Sequence, residues 1–169
     1  MNSLFIDPGS RGIGIALFRD KTLFAAQYVK NPLTKGDGPE SWRRMADAAR
    51  DWATDKTKLS SIQQVVIELP RVYPGPQQKG DQNDLIQIAC VAAMIARSFP
   101  GADLTSYYPR DWKGNVPADL MLERIMAKLS NEEAERLISV GAKDHNAIDA
   151  CGIGLHHLGR LKPTRIFPR

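Results

Sequence analysis

Cysteine is scarce in this sequence, which has two, Cys90 and Cys151, among 169 residues. Both fall in apolar stretches with helical periodicity, so we expect two buried, reduced thiols and no disulfide framework. No histidine is spaced from these cysteines as zinc ligands are, which argues against a zinc site. The length is sufficient for one domain with a hydrophobic core.

Long apolar runs are also missing. No segment has the roughly 20 consecutive apolar residues of a membrane-spanning helix, and the N-terminus lacks a basic stretch followed by a cleavable apolar one. We therefore expect an intracellular protein, located in the cytoplasm. The composition, 43% apolar and 25% charged, is ordinary for a globular protein.

Neither sign of charge dominates strongly, since the formal net charge is +4 and the isoelectric point is about 9.2. This basic balance favours a polyanionic partner only weakly, because many basic proteins bind no nucleic acid. Internal repeats and linker-like segments are absent. We predict a single domain over residues 1–169, in which 162–169 form a flexible basic tail.

Apolar periodicity divides the chain into the strands and helices of an α/β domain. The first three strands follow one another through short turns, which predicts an antiparallel meander. The later strands arrive through helices, which predicts a mixed five-stranded sheet with helices on both faces. The predicted strands are 3–7, 12–18, 22–29, 64–69 and 104–108, and the predicted helices are 39–56, 84–99, 117–129, 131–140 and 143–161.

The predicted helix over 84–99 has almost no polar face. A helix that is apolar all round must be covered on both sides. In a domain of this size the second cover can be another copy of the chain, so this helix favours a homodimer.

Three acidic residues stand at unusual places. Asp7 ends the first predicted strand, Glu68 lies at the end of the fourth, and Asp149 lies on the last helix. A carboxylate at such a place is costly to bury without a metal, a partner charge or a ligand. If the fourth strand pairs beside the first, Asp7 and Glu68 approach each other. Three carboxylates from separate elements would form an all-oxygen site of the kind that Mg²⁺ prefers and would favour a two-ion phosphoryl-transfer nuclease.

Each acid also has an ordinary structural interpretation. The Asp-Pro-Gly run that contains Asp7 is typical of a turn, and Asp144 is as good a candidate for the N-cap of the last helix as for a metal ligand. Glu68 and Asp149 have basic residues within reach of a surface ion pair. These pairs would be Glu68 with Arg71 or Lys79, and Asp149 with Lys143 or Arg160.

Basic and aromatic side chains near these acids are candidates for contact with DNA. The basic ones would neutralise phosphates, and Tyr73 would stack on an unpaired base. Local packing is the alternative for the aromatic residues, and Trp112 in particular could anchor its loop to the body of the protein. The candidates are Arg71, Tyr73, Lys79, Arg110, Trp112 and Lys113.

These motifs resemble the RuvC-type Holliday junction resolvases of the RNase H-like superfamily, over nearly the whole chain. The resemblance rests on Phe5-Ile6-Asp7-Pro8-Gly9-Ser10, on Gly12 and Gly14, on Ile67-Glu68 and on Asp149-Ala150. The stretch 108–114, Tyr-Pro-Arg-Asp-Trp-Lys-Gly, is similar to one in phage-type members. The resemblance implies an RNase H-like fold and two Mg²⁺ or Mn²⁺ ions held by Asp7, Glu68 and Asp149. It also implies a homodimer that nicks two strands of a four-way DNA junction symmetrically, in a bacterium or a phage-infected host.

One position departs from the family, which usually has Asp or His three residues before the final Asp. That position is Asn146, which can ligate a cation through its carbonyl oxygen but brings no charge. His145 or Asp144 would then supply the missing ligand, or the natural enzyme functions with Asn146, or this is a deliberately disabled Asp→Asn variant.

Three other functions remain open from the sequence. The first is an RNase H-like enzyme that cuts RNA–DNA hybrids, or a YqgF-type RNA-processing nuclease. The second is a phosphate-binding member of the actin and sugar-kinase fold, for which the chain is too short to supply both domains. The third is a DNA-binding module that has lost catalysis, which Asn146 alone supports.

Overall fold

A computed structural model describes residues 1–33, 38–57, 61–73, 81–138 and 145–163 of the protein. The described part contains five strands and six helices. In chain order these are β1 Asn2–Pro8, β2 Gly12–Arg19, β3 Thr22–Lys30, α1 Pro39–Thr57, β4 Gln64–Glu68, α2 Gln82–Arg97, β5 Asp103–Tyr107, α3 Pro109–Trp112, α4 Ala118–Met126, α5 Asn131–Ile138 and α6 His145–His157.

The five strands form one mixed sheet in the order β3-β2-β1-β4-β5. β1, β2 and β3 are antiparallel neighbours, whereas β4 runs parallel to β1 and β5 runs parallel to β4. The antiparallel meander, the position of β4 beside β1 and the mixed five-stranded sheet are thus confirmed. β1 is central, and all seven of its residues are buried because helices cover both faces of the sheet.

Alternate residues of β1 supply two hydrophobic cores. Phe5 contributes to the core beneath α4, α5 and α6, and Leu4 and Ile6 contribute to the core beneath α1 and α2. This is the period-2 alternation of a strand, in which successive side chains point to opposite faces. The prediction of helices on both faces is confirmed.

α6 lies unusually close to the sheet. A Cβ atom built at Gly14 in β2 would lie 1.9 Å from the Asn146 carbonyl oxygen, so only glycine fits there. Gly14 is the register partner of Asp7. The first turn of α6 is therefore held over the end of β1 that carries Asp7.

The largest differences from the predicted elements concern α6 and α3, while α2 and α4 have bounds that are shifted by one to three residues. The periodicity predicted a helix through residue 161, but α6 ends at His157 because Gly159 adopts a left-handed φ of 74°. The four-residue helix α3 was not predicted, since it is too short to show apolar periodicity. Residues 143 and 144 of the predicted last helix, and 164–169 of the predicted tail, lie outside the described residues.

Both cysteines are free thiols, as expected, but only Cys151 is buried as predicted, whereas Cys90 is half-buried. Within the described residues, no helix combines the length and apolar character needed to cross a membrane.

Candidate active site

The candidate site lies at one edge of the sheet, where β1, β4 and β5 end. These three strands are mutually parallel, so their carboxyl ends meet at that edge. Asp7 is the penultimate residue of β1 and Glu68 is the last residue of β4. Asp149 comes from α6, whose first turn lies over β2.

Asp7 is the most enclosed of the three acids, with 9% of its surface exposed. Burial raises the pKa of its carboxyl well above the usual range, and the neighbouring charges of Glu68 and Asp149 raise it further. The structure therefore brings the three predicted acids into one mutually repelling cluster.

Glu68 accepts a hydrogen bond on Oε2 from the indole Nε1 of Trp112. Burial raises the pKa of Glu68, while the nearby Lys113 and the Trp112 N–H act in the opposite direction. Neither Arg71 nor another described basic residue forms an ion pair with this carboxylate. The hydrogen bond of Glu68 is therefore with a buried side chain and not with a cation on the surface.

Asp149 forms an ion pair with Lys113, whose Nζ lies 2.8 Å from Oδ2. The two side chains are 22% and 26% exposed, respectively. Burial disfavours the charged ammonium, but Glu68 and Asp149 outweigh it and raise the pKa of Lys113. The neighbouring residues Trp112 and Lys113 thus each hold one of the three carboxylates.

These residues fit a hard divalent cation by their chemistry. The donors are carboxylate oxygens, and the Lys113 ammonium already supplies a positive charge among them. Among the residues that the structure describes, no three His, Cys, Asp or Glu side chains are disposed as a ready-made ligand group. Lys113 occupies Oδ2 of Asp149, so a metal on that oxygen would take the place of the ammonium.

The other predicted ligands take different positions. Asn146 lies against the β1–β2 loop, since its side-chain nitrogen would be 2.8 Å from a Cβ atom at Gly9. His145 is exposed at the first position of α6 and has no hydrogen bond or ion pair with another described residue. Asp144 lies outside the described residues, so neither its predicted N-cap nor its predicted ligand role can be placed.

Trp112 differs from the other predicted DNA contacts. Its side chain is completely buried and offers no surface to DNA, which argues against that prediction and favours the alternative of an anchoring role. Gly152 on α6 makes room for the Trp112 ring, because a Cβ atom there would lie 2.5 Å from Cζ3 of the indole.

Three of the other predicted DNA contacts lie around the site. Arg71 and Arg110 are exposed, and both guanidinium groups lie over the ring of Tyr73, at 5.9 Å and 4.6 Å from its centroid. Lys113 instead points its ammonium into the acidic cluster. Lys79 lies outside the described residues.

Sequence reasoning missed two residues at this edge. Tyr108 is 41% exposed, and the Arg71 guanidinium lies 5.3 Å from its ring centroid. Arg11 is exposed in the loop between β1 and β2. The sequence placed Tyr108 within the predicted strand 104–108, and Arg11 directly after the Asp-Pro-Gly-Ser run. Nothing in the sequence distinguished either of them from ordinary surface residues.

Comparison with solved structures finds the same architecture in junction resolvases. T. thermophilus RuvC in complex with Holliday junction substrate is 17% identical, with a TM-score of 0.55 over 97% of this chain and 100% of that chain. The yeast mitochondrial Holliday junction resolvase Ydc2 is 12% identical, with a TM-score of 0.56 over 94% of this chain and 80% of that chain.

A second Thermus thermophilus RuvC structure gives a TM-score of 0.52 at 16% identity, over 97% of this chain and 100% of that chain. No family model matches the sequence, and no curated protein matches it. At identities this low, the structural similarity shows the fold alone. The chain has the RNase H-like fold of the RuvC-type resolvases.

Proposed function

We propose that this protein is a metal-dependent endonuclease that resolves four-way DNA junctions. The observation that carries the proposal is the cluster of the buried Asp7 with the half-buried Glu68 and Asp149, with Lys113 among them, at the carboxyl edge of a RuvC-type sheet. Raised carboxyl pKa values in such a cluster are typical of functional sites. Solved structures that share this fold include junction resolvases.

In this proposal Asp7, Glu68 and Asp149 would hold Mg²⁺ or Mn²⁺. When bound, such ions activate water and stabilise the leaving oxygen in an in-line displacement at phosphorus. Asp7 is fixed by burial in β1, and Glu68 is fixed by Trp112. Lys113 pairs with Asp149, and on release its Nζ would donate to a phosphate oxygen of the substrate.

Arg71, Tyr73, Tyr108 and Arg110 would form the surface that receives DNA. The guanidinium groups would neutralise phosphates, while the tyrosine rings would stack on bases that lack a partner at the junction opening. Their position directly beside Glu68 and Trp112 supports this role.

A homodimer would present two such sites for paired nicks. α2 buries Val91, Ala92 and Ile95 against the sheet, but its outward face remains exposed, with Ile86 62% exposed. Next to this face is an apolar groove of about 230 Å³, and Leu104 of the edge strand β5 is 55% exposed. A second copy that covered α2 would remove this apolar surface from water.

The test uses labelled four-way junction, linear duplex and RNA–DNA hybrid, each with Mg²⁺, Mn²⁺ or EDTA. We expect this chain to nick only the junction and only with metal, and we expect Asp7→Asn to abolish nicking. Asn146→Asp would restore a fourth charge, so a gain in rate of roughly tenfold or more, as is common for one catalytic group, would identify Asn146 as a disabling substitution. An unchanged rate would show that the enzyme functions with Asn146.

Asn146 also supports a second candidate, a junction-binding module without catalysis. Tight junction binding with no cleavage by this chain or by Asn146→Asp would establish that function in place of the nuclease. Cleavage confined to the hybrid would instead assign the protein to the RNase H-like or YqgF-type nucleases. The cytoplasmic location and the bacterial or phage origin stay predictions.

A further inference from the structure

Trp112 occupies an unusual place for a tryptophan. Its side chain is completely buried, yet its Nε1–H donates to a carboxylate oxygen of Glu68 rather than to a backbone carbonyl. A buried indole N–H normally finds a partner. Trp52 donates to Gln27 at 2.6 Å, whereas the buried Trp42 N–H has no hydrogen-bond partner among the described residues. Only Trp112 is therefore directed at the acidic cluster.

The chemistry of the donor separates Trp112 from its neighbour Lys113. Lys113 is a cation, so a metal ion bound by Asp149 would repel and displace it. An indole is neutral and never ionises, so its hydrogen bond to Glu68 is compatible with a cation on the other carboxylate oxygen. The bond occupies Oε2 and leaves Oε1 available.

Packing fixes the indole in this position. The ring lies against α6 at Gly152, where a Cβ atom would come within 2.5 Å of Trp112 and within 2.8 Å of Ile125. Gly152 follows Asp149 by three residues on the same helix, so one element carries an acid of the cluster and also seats the ring. The orientation of Glu68 is thereby linked to the position of α6.

We propose that Trp112 is a positioning residue for Glu68, which it holds in the orientation that binds the metal, with and without the ion. This inference rests on the proposed nuclease function. Partners of this kind, which orient a ligand without touching the ion, typically change metal affinity or activity by about 10- to 100-fold when they are removed.

The test compares Trp112→Phe with Ile125→Val in DNA-free protein. Phe keeps an aromatic ring in the site but removes the donor, whereas Ile125→Val trims the same buried contact with Gly152 and leaves the Trp112–Glu68 bond in place. We expect Trp112→Phe to weaken Mn²⁺ binding, measured by titration calorimetry, about tenfold. Ile125→Val should change it by less than about twofold. Replacement of Trp112 by benzothienylalanine, which keeps the shape of the ring but lacks the N–H, should reproduce the loss.

A second readout does not depend on metal or activity. The three tryptophans give three indole N–H signals in a ¹⁵N spectrum, and Trp112→Phe identifies its own. We expect Glu68→Ala to shift the Trp112 signal upfield and to leave the Trp42 and Trp52 signals in place. The inference is overturned if that signal does not move, or if Trp112→Phe binds Mn²⁺ as tightly as Ile125→Val does.

The two proposals fail in different ways. If this chain binds Mn²⁺ and nicks junctions while Trp112→Phe matches it in both, only the positioning role is lost. If this chain neither binds Mn²⁺ nor nicks any substrate, the nuclease function fails and the positioning role fails with it.

Discussion

Asp7 shows that the candidate site lowers the stability of the folded protein. Its carboxyl is buried beside Glu68 and Asp149, and both burial and these charges favour its protonated form. At neutral pH without metal, the ionised side chain therefore destabilises the folded state. Natural proteins retain such a group where it has a function.

Asp7→Asn should raise the melting temperature of the protein in EDTA at neutral pH. The pKa of Asp7 is higher in the folded than in the unfolded state, so its contribution to stability is fully present below the unfolded pKa of about 3.9 and is lost as pH rises through the folded pKa. The advantage of Asp7→Asn should therefore grow as pH rises from about 4 and shrink as pH falls. Thermal unfolding as a function of pH measures it.

The matched control is Asp103→Asn, which changes an exposed acid at the start of β5 and should not alter the melting temperature. Mg²⁺ should stabilise the unsubstituted chain and not Asp7→Asn. With Mg²⁺ the unsubstituted chain should therefore have the higher melting temperature, the reverse of the order in EDTA. A melting temperature lower for Asp7→Asn than for the unsubstituted chain in EDTA at neutral pH would contradict this account of the site.

The sequence revealed the acids but not the orientation of their neighbours. Asp7 and Glu68 could be predicted because an acid at the end of an apolar strand is visible without any structure. Trp112 and Lys113 were also selected, but as DNA contacts. Their inward orientation is decided by α3, a helix of four residues with no periodicity to predict it.

At the scale of elements, the N-terminus of α5 shows which local signals are dependable. Ser130 and Glu133 lie outside the candidate active site. Their three-residue spacing in the sequence is typical of a capping box. The box forms, with the Ser130 N–H donating to Glu133 at 2.8 Å and the Glu133 N–H donating to Ser130 Oγ at 3.3 Å. The same carboxylate accepts from Arg160 and from the Leu23 N–H, and so joins α5 to β3 and to the segment that follows α6.

Glu133→Gln should destabilise the protein by about 3 kcal/mol at neutral pH. The Arg160 guanidinium lowers the pKa of Glu133 to about 2, and the side chain is only 3% exposed. A lowered pKa contributes stability above the unfolded pKa of about 4.3, which is lost as pH falls toward about 2. Urea unfolding at pH 7 and at pH 2.5 measures both effects.

The neighbouring variant Glu132→Gln serves as control, since Glu132 is 83% exposed and its pair with Arg136 spans 3.6 Å. It should change stability by less than about 0.5 kcal/mol. Equal losses for the two variants, or a loss at Glu133 that persists unchanged at pH 2.5, would disprove the role of the buried ion pair.

At the scale of the whole molecule, one apolar surface has no cover within the described chain. It comprises the outward face of α2 and the adjacent Leu104, and it agrees with the sequence-based expectation that α2 needs cover on both sides. The topology could be predicted because strand and helix order restricts a small α/β domain to few arrangements. The dimer could not be predicted from strand and helix order, since a single chain shows an apolar surface but not the molecule that covers it.

Ile86→Asp should shift the protein from dimer to monomer, because a charged side chain within an apolar interface is strongly unfavourable. We expect the dissociation constant to rise at least about tenfold, which corresponds to about 1.4 kcal/mol. Sedimentation at micromolar concentration measures it. Ile138→Asp is the matched control, since Ile138 is 53% exposed against 62% for Ile86 but lies on α5. An unchanged dimer with Ile86→Asp, or a monomeric unsubstituted chain, would exclude α2 as the interface.

The most direct test of the central claim is to map the nicks that this chain makes in a four-way junction with Mg²⁺. Each strand carries a label in turn, and the cleavage positions are read at nucleotide resolution. The account predicts nicks at symmetry-related positions on two opposing strands, and none with Asp7→Asn. Nicks scattered over all four strands, or equal cleavage of linear duplex, would contradict it.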